Sequence, residues 1–567
     1  MLEEQKLNPN SEKYSAKTIY LPLLLGISLA VGILIGANFF SGASEASDET
    51  SRKFDKYREV LSQVADNYVD TVNIDKLVDY SIEQMLARLD PHTSYTPAQN
   101  TAMSKSQLEA NFDGIGVEFN VFKDTIHIIT PMAQSPSEMA GLQAGDKIIK
   151  VDGENMTGKK IDNNKIFKKL RGKKGTKVNI EIARKNNKNL LSFIVVRDKI
   201  PSFSVYSYII DNQQNTTLNN NSENQKLNKN STEKIGYIKI TKFADKTYQE
   251  FDTALKNLQK QGMTKLLLDL RDNPGGYMHH AIKIADEFLK DKSLIVSTKG
   301  KSGKFKKEDF ATSTGNFEKG KIVVLINEGS ASAAEILSGA LQDNDRATVV
   351  GRRSFGKGLV QMPIDLADGS ELRLTISRYY TPSGRSIQKD YKKDIDKYDT
   401  DLANRYKSGE MFAEIPSDSV KMGNSPKFKT ISGRIVYGGG GISPDVFVGL
   451  DTMTSSKYLS DLYKENVPRE FALAYFKKNE ATLRKNGLTA FNQDFAVSDE
   501  MVQEITKLGE NAGIKLVEND LKRSKKVLKA QIKAYIGKYI WKDEAYYPAW
   551  YETDAIYQKG LSLMYLL

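Results

Sequence analysis

Hydrophobic positions change their period along this chain, and each period predicts a different kind of element. From 53 to 89 they recur at helical spacing (Tyr57, Val60, Leu61, Val64, Tyr68), which predicts helix running up to LDPHTSY. Between 265 and 351 the pattern becomes short unbroken apolar runs, KLLLDL, KIVVLI and ATVVG. Helix-like stretches at 278–289 and 333–342 lie between them. Apolar runs without alternation suit strands covered on both faces, so this region reads as α/β. Farther on, 468–478, 499–508 and 516–539 read as helices, the first with a proline suited to its opening turn. Near the start, 18–40 carries no charge and is long enough to span a bilayer, with Lys17 at its border. That run predicts an uncleaved membrane anchor at 18–40 behind a cytoplasmic tail of 1–17.

Polar segments interrupt these patterns. The stretch 211–233 is asparagine-rich and nearly free of apolar residues, as in a disordered surface insertion, and a second polar insertion lies near 389–429. With 567 residues, 40% hydrophobic and 27% charged, the chain has the composition of a globular protein of three or four domains. Its formal charge of +11 is spread out rather than massed, and lysine-rich stretches such as 301–307 carry at most one aromatic, which argues against nucleic-acid binding. The absence of cysteine excludes disulfides and thiolate chemistry. No His/Cys/carboxylate set has metal-ligand spacing, and no cofactor is expected.

The chemistry gathers in two segments. NEGSASAAEI (327–336) places Ser332 among small residues between a predicted strand and a predicted helix, where a helix N-terminus favours developing negative charge. SFGKGLVQ (354–361) brackets Lys357 with two glycines and puts Gln361 four residues on, on the same face of an extended strand. A serine hydroxyl needs a proton acceptor, and a desolvated lysine held neutral can serve. Ser332 with Glu335 also reads as a plain capping box. The DNPGG turn (272–276) offers glycine N–H groups suited to an oxyanion hole, or simply an ordinary strand-to-helix turn. His279 and His280 are the alternative partners for a serine, but adjacent helical residues diverge and neither has an evident carboxylate to orient it.

Taken in order, LLLDLRDNPGG, NEGSASAAEILSGALQD, GRRSFGKGLVQ and RYYTPSGRSIQ resemble the carboxyl-terminal processing (tail-specific) protease family, over about 55–450. The resemblance implies a ClpP/crotonase-like α/β serine protease core at 200–450, with Ser332 as nucleophile, Lys357 as base and Gln361 positioning it. It places the oxyanion donors at the Gly275–Gly276 turn, without settling which of the two glycines, and at the backbone N–H of Ala333. It also implies a PDZ domain at 111–199, whose loop Gly114, Ile115, Gly116, Val117 takes the carboxylate of a free, largely apolar peptide C-terminus. Arg171, in LRGKKG, reads as part of a solvated basic loop. A helical N-terminal region at 41–110, able to support a homodimer, and a helical C-terminal domain at 451–567 complete the expected organisation. Relatives of this kind are exported, so the expectation is a single-pass membrane protein with its catalytic part on the periplasmic side. The contrasting expectations are a catalytically silent PDZ scaffold and a peptidoglycan amidase, the latter disfavoured because the S-x-x-K spacing is absent around Ser332.

Overall fold

The computed structural model describes residues 26, 28–29, 31–32 and 44–566, apart from 107–108, 110, 123, 133, 159–162, 185–186, 211–233, 392–397, 399 and 413–424. Two compact units divide at residue 85. In the first, helix Ser44–Asn67 is followed by a break, and then by helix Ile74–Leu86. The single helical stretch expected there is thus two, because Asn73 Oδ1 accepts the N–H of Lys76 at 3.0 Å and restarts the helix.

The expected membrane anchor is corrected. Most of 18–40 lies outside the described residues, and among the described residues no helix is long and apolar enough to cross a membrane. The first long helix, SEASDETSRKFDKYREVLSQVADN, carries charges all along its length, which bilayer hydrocarbon does not admit. The single-pass membrane localisation falls with it.

The second unit holds the site. Its central sheet has six strands in the order Val205–Ile210, Lys234–Ile240, Met263–Asp269, Lys321–Ile326, Thr348–Gly351 and Val446–Phe447, parallel except for the first pair. Helices Thr247–Lys260, Met278–Asp286 and Ala333–Asp343 cover one face, closing the core around Leu266, Leu268, Val324, Leu337 and Leu341. The other face, with Leu267, Val323 and Leu325, is covered by helix Ala555–Leu566. That helix comes so close at Gly560 that a Cβ there would lie 2.6 Å from Leu325, so only glycine fits. Coverage on both sides explains the unbroken apolar runs; each such Leu or Ile contributes about 1.5–3 kcal/mol by leaving water.

A second sheet, Ser94–Thr96, Glu371–Tyr380, Leu294–Gly300 and Lys307–Phe310 with Leu359–Asp365 alongside, packs the LDPHTSY segment onto the core. A separate module between 117 and 196 has strand order Val117–Phe122, Thr125–Pro131, Lys147–Val151, Lys177–Ala183 and Leu191–Val196, which leaves Val117–Phe122 as an edge strand. Past 451 the expected three helices lengthen to Val467–Asp494, Asp499–Asn511 and Glu518–Trp541, and Lys457–Lys464, Asp543–Tyr551 and Ala555–Leu566 join them. The asparagine-rich 211–233 lies outside the described residues.

Candidate active site

Ser332 stands where the strand Lys321–Ile326 gives way to the helix Ala333–Asp343. The intervening turn is tied down by buried Ser330, whose Oγ accepts the Asn327 N–H at 3.0 Å and donates to the Leu270 carbonyl at 2.8 Å. Ser332 itself has φ 55°, a conformation costly for a residue with a side chain and kept only where its surroundings impose it. Beside it runs the DNPGG turn, which follows the strand Met263–Asp269. Asp272 and Asn327 exchange two hydrogen bonds of 2.8 Å, and Ala331 N–H donates to the Asn273 carbonyl at 2.8 Å. Gly275 has φ 97°, and a Cβ on it would lie 2.7 Å from that of Ser332, so only glycine lets the turn reach the serine. The Gly275 N–H is occupied by Asn273 Oδ1 at 2.8 Å. Among the described residues no acceptor takes the N–H of Gly276 or of Ala333.

Lys357 is half-buried on the loop that follows Thr348–Gly351. Its Nζ donates to Gln361 Oε1 at 2.7 Å, and Gln361 Nε2 donates to the main-chain carbonyl of His92. A carbonyl can only accept, so His92 sets which end of the amide faces the lysine. Burial holds the Lys357 amine below its ordinary 10.5; Arg373 pushes the same way, while Asp90 and Glu335 oppose it. Among the described residues Ser332 Oγ and Lys357 Nζ do not hydrogen-bond to each other, although their loops are joined.

The joining group is Glu335, fully buried. Its Oε2 accepts the N–H of Ser332 at 2.8 Å and of Lys357 at 2.9 Å; its Oε1 accepts Gly356 N–H at 2.7 Å and the Ser354 hydroxyl at 2.5 Å. Burial pushes this carboxyl up to about 7, against the donors, which favour the ionised form. Tyr379 adds a second tie, its hydroxyl reaching the carbonyls of Ser332 at 3.1 Å and Lys357 at 2.5 Å. The S-x-x-E spacing had pointed to Glu335 only as a cap; its reach to the lysine loop has no sequence signal.

Two further segments close on the lysine. Asp90 Oδ1 takes the N–H of His92 and of Thr93, each at 2.8 Å, and so fixes the carbonyl that holds Gln361. Burial, with Lys357 nearby, drops the His92 imidazole to about 4, so it is neutral at working pH. The second polar insertion also reaches the site. Tyr398 hydrogen-bonds His92 Nε2, and Lys389 Nζ lies 3.9 and 4.0 Å from the ring centres of Phe355 and Tyr398. Arg405 donates to the carbonyls of Arg353 and Ser354, with Glu410 bridging Arg353 and Arg405.

Among the described residues neither His279 nor His280 hydrogen-bonds Ser332 or Lys357; His280 is buried with both ring nitrogens unpaired. Arg171, expected in a solvated loop, instead lies with its guanidinium 4.8 Å from the rings of Phe112 and Phe167. In the β module, Ile115 is buried, and the carbonyls of Ile115 and Gly116 turn inward to the N–H groups of Ser137 and Met132. The edge strand follows, with Phe119 against Phe167 of the helix Asn163–Leu170.

Residues 234–396 match peptidase family S41, 114–195 match the PDZ domain, and 458–543 match a family of unknown function. A carboxy-terminal-processing protease of Bartonella bacilliformis is 35% identical over 371 residues, 64% of this chain and 78% of that protein. A carboxy-terminal processing protease of Bacillus subtilis is 35% identical over 347 residues, 61% of this chain and 68% of that one. A solved photosystem II D1 C-terminal processing protease is 26% identical and covers 70% of this chain and 88% of its own, with a TM-score of 0.36. With most of each bacterial relative spanned at this identity, the chain belongs to the carboxy-terminal processing proteases of peptidase family S41, serine-type peptidases that carry a PDZ domain.

Proposed function

We propose that this chain cleaves proteins through a Ser332–Lys357–Gln361 acyl-enzyme mechanism, after its PDZ domain has captured a free C-terminus. The observation that carries the reading is the desolvated Lys357 amine, held below its ordinary range and oriented by Gln361. Neutral Lys357 takes the Ser332 proton as Oγ adds to the scissile carbonyl. The oxyanion lies against the N–H groups of Gly276 and Ala333, while Gly275 keeps the turn close to the serine. The lysine, now an ammonium, passes its proton to the departing amine, which leaves the acyl group on Ser332. A water, deprotonated by the same lysine, then adds to the acyl carbon; the acyl–Oγ bond breaks, Lys357 returns the proton to Ser332 Oγ, and the new C-terminus leaves. The missing Ser332–Lys357 hydrogen bond suits a resting arrangement that tightens when substrate is bound.

The sign of the pH dependence follows. Lys357 must lose its proton to work, so kcat/KM should rise with pH through a lysine midpoint lying below 10.5. The groups facing it are Arg373, Asp90, Glu335 and the neutral His92. Peptide hydrolysis followed from mildly acidic to alkaline pH measures this, and a flat profile across that range would remove the lysine from the base role.

A further inference from the structure

The edge strand Val117–Phe122 is flanked on its outer face by the C-terminal helices. Lys538 Nζ pairs with Glu118 Oε1 at 2.8 Å, and the helix Val467–Asp494 abuts the turn at Gly145, where an added Cβ would lie 2.7 Å from Leu473. Between strand and helices lies a cavity of about 270 Å³ whose lining includes Glu118, Asn120, Arg469, Lys538 and Tyr539, with Phe119 at its edge.

We propose that this cavity is a second subsite of the PDZ groove, taking an acidic side chain from the penultimate or fourth-from-last residue of the captured peptide. The inference rests on the reading that the PDZ domain captures C-termini. A peptide adding to the edge strand alternates its side chains between two faces. The last and third-from-last meet Phe119 and the helix Asn163–Leu170, whereas the penultimate and fourth-from-last face the side where Glu118, Asn120 and the C-terminal helices stand. Charge selects the occupant there. Lys538 is matched by Glu118, and Asp543 nearby is taken up by Tyr206, its carboxyl raised by burial. Arg469 lies 5.0 Å from the ring centre of Tyr535, and among the described residues it has no carboxylate partner. A guanidinium left over beside an open strand edge fits a substrate carboxylate and repels a substrate lysine.

The test uses the full chain with Ser332→Ala, so that bound peptide is not consumed, and fluorescence anisotropy with labelled peptides ending in an apolar residue. A penultimate glutamate should bind about fivefold tighter than alanine, and lysine more weakly than alanine. Arg469→Gln should erase the glutamate advantage while leaving the alanine peptide unchanged, and Arg469→Lys should keep it. Equal binding of the glutamate and lysine peptides, or an advantage that survives Arg469→Gln, overturns the subsite. An amidated apolar peptide serves as the separate arm. It should bind about ten- to a hundredfold more weakly than the free acid. Equal binding of acid and amide would overturn carboxylate capture itself, whatever the penultimate residue does.

Discussion

Ser332→Ala and Lys357→Ala are each expected to lower peptide hydrolysis on the order of 10⁴-fold or more while the circular dichroism stays native, because nucleophile and base act as one unit and neither works alone. Both side chains are only half-buried, and neither belongs to the apolar core. Lys357→Arg should be as inactive as the alanine variant. It keeps the positive charge, but a guanidinium does not give up its proton at working pH. His279→Ala is the contrasting variant and should stay active, since among the described residues that ring makes no hydrogen bond to either site residue. Robust turnover by Lys357→Arg, or loss of activity in His279→Ala with Lys357→Ala intact, would reassign the base.

Changing Glu335 should damage both activity and stability. Each oxygen serves two donors, Ser354 and Gly356 on one and Ser332 and Lys357 on the other. In Glu335→Gln the amide can accept on one side only, so its own N–H₂ must confront a backbone N–H on the other. Kinetics should show roughly a hundredfold loss, comparable to removing one well-placed donor from an oxyanion site, because the Ser332 and Lys357 loops lose their common anchor. Denaturant unfolding should show a loss of about 2 kcal/mol for Gln and about 3–5 kcal/mol for Ala, which leaves the buried donors without an acceptor. Native stability in Glu335→Ala with only activity lost would mean that the loops do not depend on this anchor.

The parts of the site legible from sequence are the local ones. Ser332, Lys357 and Gln361 each sit on a turn or strand whose small residues and spacing betray the geometry, and the apolar runs at 265–270 and 321–326 announce a sheet covered on both sides. What stayed hidden depends on contacts between distant segments. Glu335 fits a four-residue capping motif, so nothing in its spacing signals the bonds to Gly356 and Lys357 some twenty residues later. His92 meets Tyr398 across 306 residues, and the polar composition of the insertion does not signal that its buried Tyr398 reaches the residue whose carbonyl holds Gln361. The helices missed after 451 are short, and one contains a proline, Pro548, both of which weaken a periodic signal. The uncharged run at 18–40 had the length of a bilayer span, but length alone does not establish one.

The helix Ala555–Leu566 also sets the order in which the protein can be assembled. Its Met564 carbonyl accepts from Lys265 Nζ across 299 residues, and its apolar side seals the sheet face that carries Leu267, Val323 and Leu325. During synthesis the PDZ domain, whose strands pair within about eighty residues, can fold soon after it emerges. The central sheet cannot be covered on both faces until the ribosome has made the helix Ala555–Leu566. Until then one of its faces stays open to water, a sticky surface of the kind that draws chaperones. A nascent chain therefore carries its folded PDZ domain well before its peptidase core is covered on both faces.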